Sequence, residues 1–196
     1  ETRQEVTEIS LMFGADPQKS LYLGERASRS NALKQDLSRY RVVAFATHGL
    51  IPGDVPGLSQ PALAMSTRDP SGYLLTSQDI LGMKLDAEWV ILSACNSGAG
   101  DGAGSDALTG LGRSFFYAGS KSIYVTQWPV ESESAKRLVT KTLTYYQKDG
   151  LGRAVAANKS SRDLLTTGTM RMAGTEFSFA HPAFWAPYIV VGEPGR

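Results

Sequence analysis

Trp89-Val90-Ile91-Leu92-Ser93-Ala94-Cys95 runs without a break into Asn96-Ser97-Gly98-Ala99-Gly100-Asp101-Gly102-Ala103-Gly104, and the reading of these sixteen residues decides the fold. The apolar, β-branched start suits a strand covered on both faces, as in parallel sheets. Its glycine-rich loop leads to a predicted helix over 105–118, where Leu108, Leu111, Phe115 and Phe116 form an apolar side and Gly119 offers a stop. Strand, glycine loop and helix together make half of a parallel crossover.

The neighbouring stretches repeat the theme. Upstream, Arg41-Val42-Val43-Ala44-Phe45-Ala46-Thr47 is a second apolar run, ending at His48-Gly49. Downstream, Ser122–Trp128 reads as a third strand closed by Pro129, and Pro187–Val191 as a fourth. Helices are expected from about Ser132 to Gln147, with Leu138, Val139, Leu143 and Tyr146 inward, and from about Gly152 to Leu165. At the front, Thr2 and Glu5 fit a capping box ahead of Val6, Ile9, Met12 and Phe13, with Gly14 as the stop. Ser20–Leu23 is a short strand candidate, and Ser28 or Ser30 can cap a helix carrying Leu33, Leu37 and Tyr40. Residues 50–72 hold Pro52, Pro56, Pro61 and Pro70, so a long loop is expected, with a hairpin around Ala62–Met65. Thr76 caps a short helix to Leu81, with Asp79 at its third position. Strands alternating with helices predict an α/β fold, a mostly parallel central β-sheet with helices on both faces, as one domain over 1–196.

Composition narrows the function. With 42% hydrophobic and 20% charged residues the chain is ordinary for a globular protein. The net charge of +1 comes from scattered Lys and Arg, which gives no footprint for nucleic acid or a membrane surface. No apolar run approaches the roughly 18–20 residues that span a bilayer, and the first five residues lack a signal-peptide pattern. The single cysteine excludes an internal disulfide and fits a reducing, cytoplasmic setting.

That cysteine, Cys95, stands at one strand end, and His48, one of only two histidines, stands at another. In open α/β sheets ligands gather beyond the carboxyl ends of the strands. A thiol cleaves an amide when an imidazole takes its proton and N–H groups hold the developing oxyanion. His48 is 47 residues before Cys95, about one strand–loop–helix crossover, so the two strand ends can meet. Gly49, without a Cβ, lets its N–H approach a substrate carbonyl beside the N–H of Cys95, forming an oxyanion hole. A structural reading also stands, since free cysteines are commonly small core residues and a His before Gly is often a turn residue.

Ala46-Thr47-His48-Gly49 and Leu92-Ser93-Ala94-Cys95-Asn96-Ser97-Gly98 resemble the two catalytic motifs of CHAT domains, caspase-like and separase-like proteases often attached to tetratricopeptide repeats. The resemblance extends along most of the chain: Gly24–Leu33, Tyr73-Leu74-Leu75-Thr76, Leu108–Gly119, Gln127-Trp128-Pro129-Val130, and His181-Pro182 with Trp185 and Gly192 are similar to later and earlier landmarks of that family. It implies a caspase-like fold and a cysteine endopeptidase needing no cofactor, with His48 as general base, Cys95 as nucleophile and Gly49 as oxyanion donor. It also implies a protein or peptide substrate and an attached repeat or sensor domain that controls activity. A caspase histidine lies about 50 residues before its cysteine, which the present spacing matches. Ser93 and Trp128 are expected to touch substrate. In separases, the loop after the strand matching Ser122–Trp128 helps build an arginine pocket, which here points to Glu131 and Glu133. The departures are Gln127 and Pro129, where the family has Leu and an acidic residue, and Ser93 in place of the caspase Gln, which argues against aspartate preference. The chain is expected to start inside the family domain, with a front part preceding Glu1. The alternative is a non-catalytic scaffold that binds a peptide without cutting it.

Other motifs carry less. Gly98-x-Gly100-x-x-Ala103 and Gly102-x-Gly104-x-x-Ala107 fit a loose dinucleotide fingerprint, but alternating glycines make such matches by chance. No phosphate-binding Gly-x-x-x-x-Gly-Lys motif occurs. His181 with His48 and Cys95 lacks the compact spacing of zinc motifs, so no metal is expected, and His181 is read as structural.

Overall fold

The computed structural model describes residues 2–69, 72–93, 104–128, 130–172 and 174–195, with the backbone alone at 104–109 and 172. The chain forms two compact units, residues 22–129 and residues 1–21 with 130–196.

The first unit is built on three parallel strands, β1 (Val42–Phe45), β5 (Trp89–Leu92) and β6 (Ser122–Thr126), with β5 between the other two. Between β1 and β5 the chain makes three further strands, β2 (Gly49–Leu50), β3 (Ala62–Ala64) and β4 (Leu74–Thr76). Every residue of β5 is buried, as its unbroken apolar run predicts, and so is every residue of β6, its Ser122 and Thr126 included, whereas β1 is half-buried throughout. The continuous run in β1 led to an expectation of cover on both faces. Its edge position explains the difference, because an apolar run reports β character and not how many neighbours a strand acquires.

Helix α5 (Gly104–Tyr117) precedes β6, with Leu111 and Phe115 buried and the Phe115 ring 5.5 Å from that of Phe45. Trp89 and Tyr124 make the matching contact between strands, at 5.6 Å. Gly112 allows the helix close to β6, since a Cβ there would lie 2.6 Å from Ile123 Cδ1. The helix stops at the expected place, with Gly119 at φ 110°.

The stretch expected as a long loop over 50–72, with a hairpin around Ala62–Met65, instead contributes to a second small sheet. β2 (Gly49–Leu50), β3 (Ala62–Ala64) and β4 (Leu74–Thr76) are antiparallel in the order β2-β3-β4. Helix α4 (Ser77–Leu81) follows, begun by the predicted capping box of Thr76 and Asp79. Two expectations near the front fail. Ser20 ends a short helix (Pro17–Ser20) begun by Pro17 and capped by Asp16, so 20–23 is not a strand. Helix α3 (Arg29–Lys34), capped by Ser28, ends before Leu37, which begins a separate 3₁₀ turn capped by Asp36.

The second unit is mainly helical. α1 (Thr2–Met12), α6 (Ser132–Gln147) and α7 (Arg153–Thr167) fall close to their predicted spans, and β9 (Tyr188–Gly192) closes the chain. Leu138, Val139, Leu143, Ala156, Leu164 and Phe179 form its core, and Ser160 Oγ donates to the Leu138 carbonyl at 3.0 Å where α6 meets α7. The sequence reading missed the hairpin of β7 (Thr169–Met172) and β8 (Thr175–Ser178). Its sequence signal is weak: Thr169-Met170-Arg171-Met172 and Thr175-Glu176-Phe177-Ser178 hold few strand formers, and Gly174 is the one turn residue between them.

Candidate active site

The two strands that precede His48 and Cys95 in the sequence lie side by side and in step. β1 pairs with β5 in parallel, with Phe45 opposite Leu92, and the Ser93 N–H extends the ladder by donating to the Phe45 carbonyl at 3.0 Å. Their carboxyl ends are therefore level. His48 stands three residues beyond Phe45, and Cys95 three residues beyond Leu92. His48 is exposed, on the short segment that leaves β1 and enters β2. Cys95, expected as nucleophile and oxyanion donor, lies outside the described residues.

The backbone beside His48 is fixed by β3. Ala64 N–H donates to the His48 carbonyl at 2.8 Å, and the Thr47 hydroxyl donates to the Ala64 carbonyl. Register then orients the next residue. Antiparallel ladders alternate between hydrogen-bonded and non-hydrogen-bonded pairs. With His48 bonded to Ala64, the following pair, Gly49 and Leu63, is of the second kind, and the Gly49 N–H is turned away from β3. Gly49 is itself buried. The N–H expected as an oxyanion donor is thus aimed away from its own sheet partner, one residue from the exposed His48.

The small sheet is anchored in turn. Ser77 donates from its N–H and its hydroxyl to the Pro61 carbonyl, at 2.9 and 3.0 Å, and Gln78 N–H donates to Gln60 Oε1. Asp79 accepts from Thr76 N–H at 2.9 Å and from Arg29 through two bonds at 2.6 and 2.9 Å. Burial pushes the Asp79 carboxyl up, but the Arg29 and Thr76 hydrogen bonds outweigh it and hold the group below the usual carboxylate range. The same hydrogen bond raises the pKa of the Arg29 guanidinium. Asp69 joins this cluster by accepting from the Ser30 N–H at 2.6 Å.

The other expected site residues divide between the units. Ser93 is buried one residue past β5, and Trp128 is half-buried two residues past β6. Glu131 and Glu133 belong to the second unit, where both are engaged at the start of α6. The two Glu131 carboxylate oxygens accept from Glu133 and Ser134 N–H groups, each at 2.8 Å, which makes Glu131 the helix cap. Glu133 accepts from Arg137 Nε at 2.8 Å, while Arg137 also donates to the Thr169 carbonyl and covers the Phe179 ring. His181 caps the short helix α8 (Pro182–Trp185), its Nδ1 accepting from Ala183 N–H at 3.2 Å. Among the described residues no group of three or more His, Cys, Asp or Glu could hold a metal, and no helix is long and apolar enough to cross a membrane.

An α/β fold in which β1, leading to His48, lies parallel beside β5, after which the Cys95 motif follows in the sequence, has the caspase-like form. The CHAT domain family matches residues 1–193, and the chain belongs to that family. It is similar to tetratricopeptide repeat protein 28 of Mus musculus, 27% identical over 121 residues, and to the Homo sapiens protein of the same name, 25% identical over 121 residues. In each case the match covers 61% of this chain and 4% of the relative.

Proposed function

We propose that this chain is a cysteine endopeptidase of the cytoplasm in which His48 and Cys95 cleave peptide bonds of a protein substrate, under the control of an attached repeat or sensor domain. The observation that carries the reading is the parallel register of Phe45 with Leu92, since His48 and Cys95 each follow three residues later in the sequence. Membership of a caspase-like family and relatives named for tetratricopeptide repeats support it.

The residues then act as follows. His48 takes the Cys95 thiol proton, and the thiolate attacks the scissile carbonyl carbon. The carbonyl π electrons move onto oxygen, and the oxyanion is held by the N–H groups of Gly49 and Cys95. Collapse breaks the C–N bond, the amine leaves with the proton from His48, and a thioester remains. Water attacks the thioester as His48 takes its proton, releasing the carboxylic acid and returning that proton to the thiol.

Product masses after incubation with a protein substrate library test this directly. Cys95→Ala should abolish cleavage with the fold unchanged by circular dichroism, and His48→Ala should slow it by roughly 10²–10⁴. Undiminished cleavage by the Cys95→Ala protein would sink the assignment. A protein that binds library peptides without cutting any would be the scaffold instead.

A further inference from the structure

The segment between β1 and β2 must turn the chain from one sheet to another within three residues, Ala46, Thr47 and His48, while presenting His48 at a fixed place. Both polar groups of one residue, Ala64, hold it. The Ala64 N–H binds the His48 carbonyl, and the Ala64 carbonyl receives the Thr47 hydroxyl. Ala64 is a firm anchor, because β3 pairs with β4 along its whole length and Pro61, just before it, is bonded twice by Ser77. Only one of the two ties on Ala64 is made by a side chain. We propose that Thr47 is a positioning residue of the catalytic dyad: its hydroxyl staples the His48 turn to β3, which fixes the imidazole relative to Cys95 and keeps the Gly49 N–H turned outward. This rests on the dyad assignment made above.

The residue type fits the task. A β-branched side chain has a restricted χ1, so the hydroxyl is directed with little loss of entropy. Valine has nearly the same shape and cannot donate; serine can. Removing one hydrogen bond changes a conformational equilibrium by about three- to tenfold, so the population of correctly placed imidazole should fall by up to that factor.

The single cysteine supplies a readout that needs no substrate. The rate of iodoacetamide alkylation at Cys95, followed by peptide mass spectrometry from pH 6 to 10, reports how far His48 promotes the thiolate. Thr47→Val should react more than about twofold and up to about tenfold more slowly than wild type near pH 7 and catch up near pH 10, where a thiol ionises unaided. Thr47→Ser should stay within about twofold of wild type throughout. A Thr47→Val profile that overlays wild type while His48→Ala is slow overturns the role of Thr47 and leaves the dyad standing. Slowing that persists undiminished at pH 10, or that Thr47→Ser shares, marks general loosening and also overturns it. If His48→Ala itself overlays wild type, the dyad falls and the role of Thr47 with it.

Discussion

Gly119 shows how narrowly a single position can be constrained. Its φ of 110° is one that L side chains rarely adopt, and a Cβ there would lie 2.1 Å from the Leu85 carbonyl oxygen. The approach is close because Leu85 N–H donates to the Ala118 carbonyl at 2.7 Å and Lys121 N–H to that of Ala87 at 2.9 Å, locking the segment before β5 against the turn before β6. Gly119→Ala meets both penalties, and backbone atoms cannot swing aside as the end of Ile123 can at Gly112. A loss of about 2–4 kcal/mol in unfolding free energy is expected from denaturant titration. A change below about 0.5 kcal/mol would show that the turn relaxes freely. The same scale holds the plainest limit of sequence reading. Thr47 stands inside the histidine motif, but the motif does not announce its tie to β3, which exists only once Ala64 is brought opposite.

Helix α4 was predicted from its cap, and the cap turns out to hold more than the helix. Asp79 binds the Thr76 N–H as the box requires and also takes both Arg29 bonds, tying α4 to α3. The pair is largely buried, with side-chain exposures of 26% and 14%, so solvent screens it less than a surface pair. Asp79→Ala should cost about 2–3 kcal/mol at pH 7, the sum expected for losing a cap and a charge-assisted hydrogen bond. The pH dependence follows from the depressed carboxyl. Its contribution is complete above the unfolded value near 3.9 and is lost as pH falls through the lower folded value. Unfolding curves of wild type and Asp79→Ala should therefore run parallel from about pH 7 to 5 and converge below about pH 4. A gap that stays constant to about pH 2 would show that the ionised carboxyl is not the stabilising form. At α6 the acids serve the helix in a similar way, Glu131 as cap and Glu133 as partner of Arg137.

For the whole molecule, the open question is which side chain is accepted before the cut bond. We propose Arg or Lys, with Glu131 and Glu133 as the acids and Asp rejected, since a carboxylate holds a guanidinium through paired hydrogen bonds and repels an acid. The occupied state of both carboxylates sets a condition on this, because a substrate guanidinium must displace Arg137 from Glu133 and compete with two N–H groups at Glu131. A peptide library should show basic preference in wild type, weakened when both become glutamine. Equal cutting after basic and acidic residues, or a preference untouched by the double substitution, removes these acids from the pocket.

Local chemistry was enough for the residues that write their structure into neighbouring positions. The buried run of β5, the Thr76–Asp79 box, the span of α6 and the stop at Gly119 were all legible, because periodicity, capping and positive φ depend on residues a few places apart. So was the pairing of His48 with Cys95 as candidates, through rarity, spacing and family resemblance. Tertiary structure alone decided the edge position of β1, the small sheet made from a proline-rich stretch, the outward turn of the Gly49 N–H and the staple from Thr47. Each depends on which distant strand pairs with which, and in what register. A shift of one residue between β2 and β3 would reverse the direction of the Gly49 N–H without altering a single letter of the sequence.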